Sequence, residues 1–338
     1  MRTRILLKSI ATLLFLAVAC DEPETVVTNI VHSDGSVTRV VEMKNSVRNF
    51  KTSSLQVAVD STWAISDSLA VGEKGDTTWF RRAEKNFRSV AELNLAYEVD
   101  SGYNKNLDRS TDFRRKFRWF NTGYTFSEKI GKTLSHGYPL DRFMNSEQLE
   151  WYYSPAALNE KRITGADSLK YKALQDSVNS REEFWLMSSM CSEFIAEIGM
   201  LLEKDRSDTV VAARLKESEP ELIEFLQKAI ELDVDEAWLA DSILNKFAGP
   251  GAGEKYGTEA DSAINIVVEK VLGDFKEYSV RIDMPGRLVT TNGFVDSSNV
   301  ASWPVRSEFF LTEDYVMKAE SVSPNAWAWI VSGIFVLF

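Results

Sequence analysis

The chain has 338 residues, with 50 acids against 39 lysines and arginines, a formal charge of −11, two histidines and two cysteines. So acidic a surface repels nucleic acid and has no general attraction to anionic lipid heads. Its 44% apolar and 26% charged residues are those of a globular protein, long enough for one large domain or two smaller ones.

The first nineteen residues divide into a cationic start (Arg2, Arg4, Lys8), a short apolar run from Ile10 to Val18, and the small residues Ala17 and Ala19 before Cys20. That order is the order of a secretory signal. The run is too short for an ordinary span, which needs roughly 20 apolar residues. Its end, "LAVAC", resembles the lipobox of bacterial envelope lipoproteins, although Ala17 stands where leucine is commoner. The resemblance covers residues 1–24. It implies that Cys20 becomes the acylated first residue of the mature protein, and it transfers no active site. Loss of residues 1–19 would remove three cations and no acid, deepening the charge from −11 to −14. The following "DEPETVV" reads as a solvated tether. Asp21 resembles an inner-membrane retention signal, and the acidic cluster resembles the surface-export signal of Bacteroidota-type lipoproteins. The expectation is therefore the cell envelope outside the cytoplasm, with no choice of membrane.

"VVTNIVHSDGSVTRVVEM" reads as a hairpin turning at Asp34-Gly35, and "LQVAVDSTWAI" continues the β signal. Residues 89–99 alternate, with Ala91, Leu93, Leu95, Tyr97 and Val99 on one side, which predicts a half-buried strand. "FRRKFRWFNTGYTF", 113–126, is the densest aromatic stretch. Taken as one strand, it puts Phe113, Phe117 and Trp119 on a core face and Arg114, Lys116 and Arg118 on a solvated face. Those three cations are the candidate contact for phospholipid heads or an acidic partner.

From about residue 140 to 276 the period becomes helical. "PLDRFMNSEQLEWYY" predicts a short helix. Phe184, Met187, Cys191, Phe194, Ile195, Ile198, Leu201 and Leu202 mark one buried stripe, in which Cys191 is a small core residue. Ser218 and Glu221 fit a capping box around Pro220. Leu239, Ile243 and Phe247 follow on a helix ended by "GPGAGEKYG", and Thr258 with Asp261 is expected to start the last one. The β pattern then returns in Tyr278–Met284, "PGRLVTTNG", "NVASWPV" and "YVMKAES". Strands, helices, strands in that order predict α+β, with antiparallel β portions at both ends of the chain completing one sheet or sandwich around a helical insertion. The expected divisions are 1–19 signal peptide, 20–25 tether, 26–135 β region, 136–276 helical region, 277–322 second β region and 323–338 hydrophobic tail.

That tail, "NAWAWIVSGIFVLF", has no charge. As a helix, Trp327 to Phe338 covers about 18 Å against a hydrocarbon core of about 30 Å. Trp327, Trp329, Phe335 and Phe338 are expected to touch membrane, because one acyl chain alone anchors only marginally.

Catalytic patterns are sparse. His32 and His136 belong to no HExxH or spaced Cys/His cluster, and no GxSxG elbow accompanies them, so no metal or cofactor is expected. "GPGAGEK" lacks the phosphate-loop spacing, and "DVDEAW" lacks the glycine of a calcium loop. The leading functional expectation is a membrane-anchored envelope lipoprotein with a non-catalytic binding or scaffolding role. Its partners would be the bilayer and an envelope protein or glycan. The alternatives are a carboxylate-dependent glycan hydrolase and a lipid carrier with an enclosed apolar cavity.

Overall fold

The computed structural model describes residues 24–48, 50, 59–72, 77–98, 107–153, 165–206, 210–231, 240–272 and 275–337. The signal peptide, Cys20, most of the tether, "DVDEAW" and Phe338 lie outside the described residues. The chain divides into a β-rich unit (24–132, 275–310 and 314–337 of the described residues) and a helical unit of Thr133–Gly273 with Leu311–Glu313.

In the β-rich unit, β1 (Glu24–Val31) begins inside the stretch expected to be tether, where the β-branched Thr25, Val26 and Val27 pair with β2 (Val37–Asn45). Asp34 Oδ1 accepts from the Ser36 amide at 3.0 Å, and Gly35 takes a φ of +92°, so the Asp-Gly turn forms as expected. β3 (Ala64–Val71) and β4 (Thr77–Phe87) extend the sheet on one side of β2. On the far side of β1, the chain returning from the helices adds β7 (Tyr278–Asp283), then β10 (Ala301–Val305) and β9 (Phe294–Val295). The second sheet has the order β5 (Arg109–Phe117), β6 (Asn121–Ile130), β11 (Tyr315–Pro324), β8 (Arg287–Thr291). Both ends of the chain thus contribute to both sheets, as the α+β expectation requires. One pairing departs from it: β1 and β7 run parallel, as strands separated by a long helical crossover can.

The two sheets share one core. Val27, Val41, Val280 and Trp303 come from the first sheet, and Tyr124, Phe126, Ile130 and Met317 from the second. Alternation in β6 and β7 sends every second residue into it.

Two sequence expectations fail here. Residues 90–98 are not a strand but α1 (Val90–Glu98). Ser89 Oγ accepts from the Glu92 amide at 3.3 Å and Glu92 Oε2 accepts from the Arg88 amide at 2.8 Å, so the segment opens with a capping-box pattern. Its inward face is Val90, Leu93, Ala96 and Tyr97, a helical spacing that the alternation masked. Residues 113–126 are likewise not one strand. They are two, β5 and β6, reversing through Arg118–Phe120, with the Arg118 amide donating to Asn121 O at 2.8 Å.

The helical unit holds α2 (Ser146–Tyr153), α3 (Gly165–Arg206), α4 (Val210–Glu217), α5 (Glu219–Glu231), α6 (Ala240–Phe247) and α7 (Ala252–Leu272). Helix α3 carries the expected stripe, with Cys191, Phe194, Ile195, Ile198 and Leu202 buried. Burial pushes the Cys191 thiol up to about 12, as fits a core residue rather than a nucleophile. Residues Ser168–Lys204 are long and apolar enough to cross a membrane by length and composition, yet 72% of their apolar 18-residue window is buried inside the fold. Helix α7 starts at Ala252, six residues before Thr258. Gly253 and Gly257 do not break it. A Cβ on Gly253 would stand 2.9 Å from Asp241 Cα, and one on Gly257 2.6 Å from Asp241 Oδ1, so these glycines let α6 and α7 approach closely.

Candidate functional site

The feature of the β-rich unit that asks for a ligand is apolar. α8 (Ala326–Leu337) follows β11 with a single residue between them, Asn325. Asn325 fastens the helix to the β5–β6 turn. Its amide donates to Phe120 O at 2.9 Å, its Nδ2 to Arg118 O at 2.7 Å and Trp119 O at 3.2 Å, and its Oδ1 accepts from Thr122 Oγ1 at 2.9 Å. The aromatic rings then interlock. Trp327 stacks on Phe117 with centroids 6.3 Å apart and meets Trp119 edge-on at 5.1 Å; Trp329 packs on Phe120 at 4.5 Å. Trp119 Nε1 donates to Ser332 Oγ at 3.0 Å.

This collar orients the helix without covering it. Among the described side chains of α8 only Ala328 is buried; Trp329, Ile330, Ile334, Phe335 and Val336 are exposed, the last at 85%. Phe117, Trp119 and Phe120 are also exposed. A helix apolar on every side has its usual place in a protein core or in lipid, and this one stands outside the core. Asn325→Ala is expected to release it: about 1–3 kcal/mol of anchoring is lost, read as a collapse of the near-ultraviolet circular dichroism of the collar tryptophans while the sandwich stays folded.

Two groups of residues singled out separately in the sequence therefore meet at one place. Trp327 and Trp329 form the collar, and Phe335 lies further along α8. Arg114 and Lys116 flank the β5 end of the collar from the outward side of the sheet, and Arg118 is in the turn. Arg114 donates to Asp112 Oδ2 at 2.8 Å. Sequence reasoning missed Phe117 and Phe120 as contact residues, because a single long strand would have turned Phe117 into the core and given Phe120 no role. It also missed Arg115 and Arg287, considered below.

Elsewhere several polar groups that could do chemistry are held in structural contacts. His32 Nε2 lies 2.9 Å from Thr38 Oγ1 in the first hairpin. In the helical unit the buried Glu193 accepts from the His136 amide and from Lys270 Nζ, both at 2.6 Å, and Lys270 also reaches Glu197 at 2.6 Å. Burial works against the Glu193 charge, but Lys270 and the backbone amides outweigh it and hold the carboxyl below its ordinary value. Glu219 is taken up by Tyr138 Oη at 2.8 Å and Lys216 Nζ at 2.6 Å. A groove beside them, lined by His136, Ser192, Met200, Glu203 and Lys216 among others, is open and has one carboxylate and no aromatic ring besides the imidazole. No group of three or more potential metal ligands occurs among the described residues. "GPGAGEK" joins α6 to α7, with Gly249 and Gly251 at positive φ, rather than following a strand.

No protein family matches the chain, and no curated protein matches it. Among solved structures it aligns with the folded domain of LppM from Mycobacterium tuberculosis, determined by NMR. The alignment covers 93% of this chain and 97% of that one, with 7% identity and a TM-score of 0.28. So distant a likeness carries no argument about fold or function.

Proposed function

We propose that this protein is a membrane-anchored envelope lipoprotein with a non-catalytic binding or scaffolding role, held to the bilayer at two points. Acylated Cys20 is the first, and the collar with α8 is the second. The observation that carries the reading is the exposed apolar helix fixed by Asn325 and the ring stack of Trp327, Trp329, Phe117, Trp119 and Phe120. A helix of 12 residues reaches about 18 Å, so it enters one leaflet instead of crossing. A second apolar contact in the same bilayer multiplies the affinity that the acylated cysteine supplies.

The test has two parts. Mass spectrometry of the mature N-terminus from fractionated membranes is expected to find an acylated Cys20; an unmodified thiol in a soluble fraction removes the first anchor. The mature chain, residues 20–338 carrying Cys20→Ser, is expected to float with phospholipid vesicles. If a second copy covered the collar instead, sedimentation would show dimers with no affinity for vesicles.

A further inference from the structure

The uncompensated charges around the collar have one sign, because Asp112 is taken up by Arg114 and Glu320, in the next outward row, by Lys318. Segments 113–127, 284–295 and 321–338 build the hairpin, the edge strand β8 and the helix, and their charged side chains are Arg114, Arg115, Lys116, Arg118 and Arg287, with no acid, in a chain of net charge −11. Register places two of these cations together. Lys116 pairs with Gly123, Gly123 with Val322 and Val322 with Arg287, forming a single row across the second sheet. Residues directly opposite share a face, and this row alternates with the buried Tyr124, so it faces outward. Three strand spacings separate the two cations by about 14 Å, within reach of one headgroup for side chains this long. Between them stand the half-buried Val322 and Gly123, which contributes no side chain and where a Cβ would approach nothing closer than backbone at 3.9 Å. Arg118 sits in the turn that Asn325 grips, and Arg115 projects from the other side of β5.

We propose that this rim binds the phosphates of anionic phospholipids, with Lys116 and Arg287 holding a headgroup above Gly123 while Arg115 and Arg118 engage neighbouring heads. The proposal rests on the collar being the bilayer contact, and it adds the class of lipid. With α8 in the acyl region, the cations stand at headgroup level, where ammonium and guanidinium groups donate charge-assisted hydrogen bonds to phosphate oxygens. Asp112 and Glu320 beside the rim are paired with Arg114 and Lys318, and the acids further away are screened beyond a Debye length of about 8 Å. An anionic membrane therefore attracts this end of the unit and repels the other orientations.

The experiment compares flotation of the mature chain, residues 20–338 with Cys20→Ser and so without the cationic signal peptide, with vesicles of phosphatidylcholine alone and of equal parts phosphatidylcholine and phosphatidylglycerol. Each cation near a charged surface favours binding about fivefold, so the mixed vesicles are expected to bind at least about tenfold more tightly, with an advantage that falls as salt rises. The variant R115Q/K116Q/R118Q/R287Q is expected to lose that advantage and keep its affinity for neutral vesicles. Equal affinity for the two compositions, or an advantage that survives in the variant, overturns the rim and leaves the collar standing. Failure to bind either vesicle overturns the collar reading and the rim with it.

Discussion

Glu128→Ala is expected to destabilise the β-rich unit by about 3–5 kcal/mol, the cost of leaving a buried charge without its partner. Arg39 and Glu128 are both fully buried in the sandwich, with Arg39 Nη2 donating to Glu128 Oε1 at 3.0 Å. Asn29 Nδ2 donates to the other carboxylate oxygen at 2.9 Å, and Tyr97 Oη donates to Oε1 at 3.0 Å. Arg39 Nη1 also donates to Tyr97 Oη. One carboxylate thus links β1, β2, β6 and α1, crossing from one sheet to the other. Burial opposes its charge, but Arg39 and Arg109 outweigh that penalty, and the carboxyl lies below its ordinary value of 4.5. The sign follows: the contribution is complete above about pH 4.5 and is lost as pH falls through the lower folded value. Urea unfolding followed across pH 3 to 7 would show it. The double variant Arg39→Met/Glu128→Leu is expected to cost less than Glu128→Ala, because it removes both desolvation penalties together. If the single variant unfolded at the wild-type midpoint, the pair would have no role in specifying how the sheets meet.

The sequence reading missed that network, which parity rather than any motif could have revealed. Asn29 lies in phase with the buried Val27 and Val31, Arg39 with Val37 and Val41, and Glu128 with Phe126 and Ile130. Each is a polar residue at a core position of an alternating strand, and three such exceptions in one fold ask for one another. Nothing local pairs them, since Arg39 and Glu128 are 89 residues apart. The sandwich itself was readable because β7 and β11 keep strict alternation. α1 was misread because nine residues satisfy both periods at once, and only the Ser89–Glu92 cap decides between them. The β5–β6 turn hid for a different reason. Arg118, Trp119 and Phe120 have none of the Gly, Pro or Asp chemistry of an ordinary reversal. Their rings serve the contact with α8, so the turn is stabilised by a partner 200 residues away, which no local window contains. The collar was half visible as two aromatic clusters, while their meeting depended on the long β6–β11 pairing.

The same collar sets the size of the largest effect on membrane affinity. Trp327 and Trp329 are 49% and 59% exposed. A tryptophan buries about 200 Å² in full, so each has about 100 Å² left to bury, worth about 2.5 kcal/mol at about 25 cal/mol per Å². Removing both rings also uncovers Phe117 and Phe120, which can take up part of the contact. The net loss expected for Trp327→Ser/Trp329→Ser in the Cys20→Ser chain is therefore about 3 kcal/mol, or about a hundredfold in vesicle partitioning. Stability responds differently. Neither ring belongs to the sandwich core, so the urea midpoint of the double variant should stay close to wild type, whereas Glu128→Ala shifts it and leaves partitioning alone. In the acylated protein the two anchors act in parallel, so losing the collar should speed exchange between membranes without abolishing attachment. Transfer of protein between vesicle populations would measure that directly. Partitioning unchanged by loss of both rings would mean that α8 meets something other than lipid.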